Sequence, residues 1–110
     1  MYSFTPKQLT ILVAALETFG YDRQVDKAIE EMSELTKALL KYREQNSDEN
    51  LKNIIDEIAD VKITMEQMQF IYDGLCDKKD LDCNVFKRID YKMDRLFTRI
   101  IEARSQPENG

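Results

Sequence analysis

Four acidic side chains form two pairs with the same spacing, and their oxygens could hold a hard metal ion. Glu31 and Glu34 make the first pair, and Glu57 and Asp60 make the second. Residues three positions apart lie about 60° apart around an α-helix, so each pair shares one helix face. Carboxylates converging from two packed helices suit Mg²⁺ or Mn²⁺, which prefer oxygen ligands.

The charges around each pair help to separate a metal site from an ordinary solvated helix face. Lys27 and Lys37 can neutralise the first pair, which is therefore ambiguous by itself. Glu57 and Asp60 have no basic residue three or four positions away. Their mutual repulsion costs roughly 0.2–0.5 kcal/mol, and a bound cation would reverse it. The spacing alone leaves both the metal site and the solvated face open.

A line of basic side chains near the C-terminal end carries the opposite charge. It consists of Arg88, Lys92, Arg95 and Arg99, which share one helix face, and we call it the basic stripe. A metal on one side and Lys or Arg on the other is the arrangement that metal-assisted phosphoryl chemistry requires. A solvated face, or an interface with an acidic helix, would explain the stripe equally well.

The composition excludes several classes of function. The chain has no His and no Trp, so a Ser-His-Asp or Cys-His nucleophile and a His-ligated zinc site are impossible. The net charge of −5 argues against binding to nucleic acid or to an anionic membrane. The longest apolar run, residues 11–16, is far short of the ~20 residues of a membrane span.

The chain start and the two cysteines predict the compartment. The first four residues lack the basic start of a secretory signal, so we expect a cytoplasmic protein. Cys76 and Cys83 match no CxxC motif and no disulfide-rich framework, and we expect both to be free thiols.

The elements that must position these side chains are helices. A chain of 110 residues with 34% charged residues, 3 Gly and 2 Pro favours long helices over a sheet. A Thr5 and Gln8 capping box begins the first helix, and Gly20 ends it. Three more helices are predicted over about residues 22–44, 49–72 and 85–104. We therefore predict an all-α, four-helix bundle-like domain over residues 1–104, with a polar tail at 105–110.

Apolar side chains repeat at helical spacing along all four segments, and we expect these stripes to form the core. They include Phe19 in the first helix, Ile29 in the second, Ile55 in the third, and Phe86 and Phe97 in the fourth. Stripes this apolar on a thin four-helix unit also favour a homodimer or homotetramer.

The acidic pairs and their neighbours resemble a known family. Residues 28–39 and 55–61 are similar to the two core helices of the MazG-like all-α nucleoside triphosphate pyrophosphohydrolases. Residues 91–96 with Arg99 resemble the C-terminal basic helix of short phage-type members. The resemblance covers roughly residues 8–104. It implies a MazG-type fold and Mg²⁺-dependent hydrolysis of a nucleoside or deoxynucleoside triphosphate to the monophosphate and pyrophosphate, in nucleotide house-cleaning or phage nucleotide metabolism.

The resemblance also assigns roles to residues. The ligands of the metal ion, Mg²⁺ or Mn²⁺, would be Glu31, Glu34, Glu57 and Asp60. Lys92 and Arg95 would bind the phosphates through charge-assisted hydrogen bonds. We expect Glu34 to be the general base, and Glu30 either to contact water at the metal or to pair with Lys27.

Gln24 occupies a position where related sequences often carry Gln, which implies a contact with the nucleotide. A core or capping role for Gln24 is an equal alternative. No motif identifies the base, because Tyr21, Tyr42 and Tyr91 are no more than conceivable stacking groups.

Two other functions remain open at this point. The first is a non-catalytic helical interaction protein, whose acidic and basic faces pair between subunits. The second is a member of the same fold that binds nucleotide or metal without turnover.

Overall fold

The structure, a computed structural model, describes residues 3–78 and 84–107. These residues form four α-helices and no strand: α1 (Pro6–Phe19), α2 (Tyr21–Glu44), α3 (Asp48–Lys78) and α4 (Val85–Ser105). The all-α prediction is confirmed. α3 continues to Lys78 instead of ending near residue 72, because a single glycine, Gly74, is tolerated inside a helix. No described helix combines the length and the apolar character needed to cross a bilayer.

Side-chain caps begin two of the helices. At α1, the Gln8 backbone N–H donates to the Thr5 hydroxyl at 3.1 Å, and the Thr5 N–H donates to the Gln8 side-chain oxygen at 2.9 Å. This is the predicted capping box, with Pro6 in the first turn. At α4, the Asn84 side chain accepts from the N–H groups of Phe86 and Lys87. Both caps satisfy N–H groups that the helix itself leaves without acceptors.

Gly20 is the single residue that separates α1 from α2. Its φ of 91° and ψ of 154° lie in a region that is essentially restricted to glycine. Its N–H donates to the Leu16 carbonyl at 3.0 Å, and its own carbonyl accepts from the N–H of Gln24. A single residue therefore ends α1 and begins α2. The backbone conformation of this residue sets the direction of α2.

The chain forms two compact units, Met1–Ile71 and Tyr72–Gly110. The first unit contains α1, α2 and most of α3. The second contains the end of α3 and α4, where the Val85 N–H donates to the Asp73 carboxylate at 3.0 Å. The single domain over residues 1–104 stays a prediction.

The apolar core among the described residues is small. Its buried members are Leu16, Ala28, Ala38, Ile54 and Ile71. Polar side chains are buried as well, namely those of Gln24, Asn50, Thr64 and Gln67. The Gln67 amide links α3 to α1 by donating to the Leu12 carbonyl at 3.2 Å.

Much of the predicted core is exposed instead. Phe19, Ile29 and Ile55 are each more than half exposed, and α4 has no buried residue at all. The prediction that the apolar stripes are buried is confirmed for Leu16, Ala28 and Ile54, and it is wrong for Phe19, Ile29 and Ile55 and for the stripe of α4. The periodicity identified apolar faces correctly, but a face is buried only where another surface covers it.

The prediction of free thiols is also wrong at one position. Cys76, near the end of α3, is disulfide-bonded in the structure. Cys83 lies outside the described residues. The spacing of cysteines carries no information on their distance in space, which decides whether a disulfide can form.

Candidate metal centre

Three carboxylates of the first unit converge at one point. One oxygen from each of Glu31, Glu57 and Asp60 lies within 4.8 Å of the other two. Glu31 comes from α2, whereas Glu57 and Asp60 lie one turn apart on α3. Around Mg²⁺, neighbouring oxygens lie about 3 Å apart and opposite ones about 4.2 Å apart, so side-chain rotations would have to draw the three oxygens closer for one ion to contact all of them. We call this group the acidic cluster.

Glu57 is the most perturbed member of the acidic cluster. Its Oε2 atom is buried and has no hydrogen-bond partner among the described residues. Burial, followed by the negative charges of Asp60, Glu31 and Glu34, raises the pKa of the Glu57 carboxyl above its usual range. Neither Glu57 nor Asp60 forms an ion pair with a described residue. A buried carboxylate oxygen without a hydrogen-bond partner is costly, and either protonation of the carboxyl or a bound cation would relieve that cost.

Glu31 differs from Glu57 because it has a basic partner. The Lys27 Nζ lies 3.5 Å from its carboxylate, one turn earlier on α2, and the Glu31 side chain is only 12% exposed. Lys27 therefore pairs with Glu31 and not with Glu30. Glu30 is exposed and lies at the wall of an adjoining cavity.

Glu34 lies beside the acidic cluster, but neither of its carboxylate oxygens is one of the three that converge there. Its carboxylate is half exposed and lies 3.6 Å from the Lys37 Nζ. Its charge still contributes to the raised pKa of Glu57, so the two carboxylates interact electrostatically. The pair with Lys37 is solvated and therefore weak, which leaves Glu34 available for another contact.

A cavity of about 600 Å³ adjoins the acidic cluster between α1, α2 and α3. Its wall includes Gln24, Thr64 and Gln67, three of the four buried polar side chains. Of these three residues, Gln24 was predicted from the sequence as a site residue, whereas Thr64 and Gln67 were not. The available signal was their spacing, because they follow Asp60 by four and seven positions and so share its helix face.

Lys92 and Arg95 belong to the second unit. With Arg99 they line a groove of about 490 Å³ along one face of α4. The guanidinium groups of Arg88 and Arg95 lie 4.7 Å and 5.8 Å from the centroid of the Tyr91 ring. No described acidic residue forms an ion pair with this basic stripe. Its charge is therefore available to an anion.

No protein-family model matches the chain, and no curated protein or solved structure shows significant similarity to it. The function is therefore argued from the site itself.

Proposed function

We propose that the protein is a Mg²⁺-dependent nucleoside triphosphate pyrophosphohydrolase, with Mn²⁺ as a possible substitute. It would convert a ribo- or deoxynucleoside triphosphate to the monophosphate and pyrophosphate. The observation that carries the proposal is the acidic cluster, in which oxygens of Glu31, Glu57 and Asp60 converge and one oxygen of Glu57 is buried without a hydrogen-bond partner among the described residues.

The donor set supports a hard divalent cation. The cluster offers carboxylate oxygens from two helices and contains no nitrogen or sulfur ligand. Glu57 and Asp60 repel each other, and a bound cation would reverse this repulsion. When bound, such an ion neutralises phosphate charge and makes a nearby water more acidic.

The chain's own residues would perform the remaining steps. Glu34, beside the cluster, would accept the proton of the attacking water, and Glu30 would orient water near the ion. The water oxygen bonds to the α-phosphorus, and the bond from that phosphorus to the bridging oxygen breaks. Pyrophosphate leaves with the negative charge, which Lys92 and Arg95 would stabilise.

The experiment that tests the proposal is a screen for pyrophosphate release. All common ribo- and deoxynucleoside triphosphates are incubated with the protein and Mg²⁺ or Mn²⁺. We expect release from at least one of them, and a loss of about a hundredfold or more in Glu57→Gln. Asp56→Asn is the matched control, because Asp56 is exposed, lies next to Glu57 and is outside the cluster. Equal activity in wild type and Glu57→Gln would refute the proposed centre.

A second candidate is a helical interaction protein without catalysis. The observation that favours it is α4, whose apolar residues are all at least partly exposed beside an unneutralised basic stripe. This candidate predicts assembly without any pyrophosphate release. A protein that binds triphosphate without hydrolysing it would match the remaining alternative.

A further inference from the structure

α4 is an amphipathic helix whose apolar side is uncovered. The structure describes this helix over its whole length, and none of its 21 residues is buried by the described part of the chain. Phe86 and Phe97 are 65% and 64% exposed. A helix in a protein gains most of its stability from the packing of an apolar face, and a contiguous exposed apolar face marks an interaction surface. A surface outside the described single chain is therefore needed to cover α4.

The exposed apolar residues of α4 repeat with the period of a coiled coil. Steps of three and four positions alternate along the line, whose members are Phe86, Ile89, Met93, Leu96, Ile100 and Ala103. We call this line the α4 seam. Two apolar residues in every seven positions keep one line of side chains against a second helix along its full length. The period therefore favours another helix as the partner of α4.

The two flanks of the α4 seam differ in charge. One flank carries Lys92 and Arg99 of the basic stripe, each of which directly precedes a residue of the seam. The other flank carries Asp90, Phe97 and Arg104, each of which directly follows a residue of the seam. In a two-helix coiled coil, residues at such flanking positions contact the partner helix and determine its orientation.

These flanks distinguish the two orientations that a pair of α4 helices can take. In a parallel pair, each flank faces the other flank of the partner helix, so Arg99 meets Arg104 of the second copy and like charges repel. In an antiparallel pair, each flank faces the same flank of the partner helix. Asp90 and Arg104 lie at equal distances in sequence before and after Phe97. With Phe97 at the twofold axis, each Asp90 therefore faces Arg104 of the second copy, and charge complementarity favours the antiparallel pair.

We propose that α4 pairs with α4 of a second copy of this chain in an antiparallel, twofold-symmetric coiled coil. The two α4 seams pack against each other, and Phe97 contacts its counterpart at the twofold axis. Because each copy contributes the same surface, two copies close the interface. The proposal adds a surface and an orientation to the predicted homo-oligomer. It does not depend on the proposed function, since neither a metal nor a nucleotide takes part.

The antiparallel pair also places both basic flanks on the same side. Six basic and three acidic side chains give α4 a net charge of +3, so pairing brings together two helices of like charge. Lys92 of one copy faces Arg99 of the other on the basic side. Salt screens the repulsion between exposed charges. Higher salt should therefore tighten the pair, whereas it would weaken a contact between α4 and an acidic surface.

The test reverses the charges of the two residues that should meet. Asp90 and Arg104 are about 21 Å apart along α4, so they form no ion pair within one helix. Asp90→Arg and Arg104→Asp should each raise the dissociation constant of the dimer about tenfold, because two symmetric attractions become repulsions. The double variant restores both attractions and should dissociate as wild type does. Sedimentation velocity over a range of protein concentrations measures all four constants.

Reversal is used because neutralising one solvated charge changes association little. Glu102→Arg is the matched control for Asp90→Arg, because it makes the same change of charge on the side of α4 opposite to the α4 seam. Its dissociation constant should stay near that of wild type. All of these variants should keep their helical circular dichroism, since only exposed side chains of α4 are changed.

Other arrangements of α4 give different results. A monomer at every concentration, or a double variant that dissociates as readily as the single ones, would overturn the proposal. Tighter association of Arg104→Asp would show a parallel pair, in which position 104 faces Arg99. Tighter association of Asp90→Arg together with weaker association at high salt would show that an acidic surface covers α4 instead.

Discussion

Glu57 combines a buried oxygen without a described partner and three acidic neighbours, so its response to a cation should be large. We expect Mg²⁺ to raise the melting temperature of wild type, because a ligand of the native state stabilises it by mass action. At ten times the dissociation constant the gain is about 1.4 kcal/mol, or roughly 5–10 °C. Glu57→Gln should lose this rise and keep its helical circular dichroism.

The control for this measurement is Asp56→Asn, which removes one negative charge from the same helix without touching the cluster. It should retain the full Mg²⁺ response. An undiminished response in Glu57→Gln would show that Mg²⁺ binds elsewhere.

The raised pKa of Glu57 also makes stability depend on pH. Burial and then the charges of Asp60, Glu31 and Glu34 favour the protonated form of Glu57 in the folded state. The stabilising contribution of this group is therefore complete below the usual carboxyl pKa and is lost as pH rises through the raised pKa. In melts without metal from about pH 4 to about pH 8, wild type should become progressively less stable relative to Glu57→Gln. A difference that is independent of pH would contradict this.

Among the helices, the junction of α1 and α2 depends on one residue. Gly20 has a φ of 91°, and a Cβ there would meet no atom within 4 Å, so any cost of a side chain comes from the backbone conformation. We expect Gly20→Ala to lower the free energy of unfolding by about 1–3 kcal/mol in chemical denaturation.

Gly74→Ala is the matched control for Gly20→Ala, and we expect it to change stability in the opposite direction. Gly74 lies inside α3, and a Cβ there also meets nothing within 4 Å. Alanine is favoured over glycine in a helix interior by about 0.8–1.0 kcal/mol, so this variant should be more stable than wild type. Equal effects of the two substitutions would contradict the role assigned to Gly20.

The second prediction for a helix concerns the basic stripe of α4. If Lys92 and Arg95 contact phosphates, either Ala substitution should weaken triphosphate binding or slow turnover by about 1.5–3 kcal/mol. Arg104→Ala, with the same change of charge outside the stripe, should behave as wild type does. Calorimetry and pyrophosphate release measure both effects. Loss of assembly with unchanged nucleotide affinity would instead assign the stripe to an interface.

For the protein as a whole, the exposed apolar side chains predict a homodimer or homotetramer. Phe97 of α4 is 64% exposed, and many other large apolar residues in the described ranges are exposed as well. Covering such side chains gains free energy in proportion to the apolar area removed from water. Light scattering should show a mass above that of one chain, and Phe97→Glu should lower it. Thr98→Glu, its polar neighbour, should leave the mass unchanged.

Local features were predictable from the sequence because helix periodicity and capping depend on residues close together in the chain. The all-α class, the capping box of Thr5 and Gln8 and the helix end at Gly20 agree with the structure. The same periodicity predicted that Glu57 and Asp60 share one helix face, which is how they enter the acidic cluster.

Contacts between helices were decided only by the tertiary structure. Helical spacing predicts the same role for Glu31 and Glu34. In the structure, however, packing places Glu31 against α3 and leaves Glu34 beside Lys37. It also surrounds a cavity with Gln24, Thr64 and Gln67, and it leaves the apolar face of α4 exposed. The physical reason is that the angle and separation of two helices arise from side chains distant in sequence, whereas periodicity describes one helix at a time.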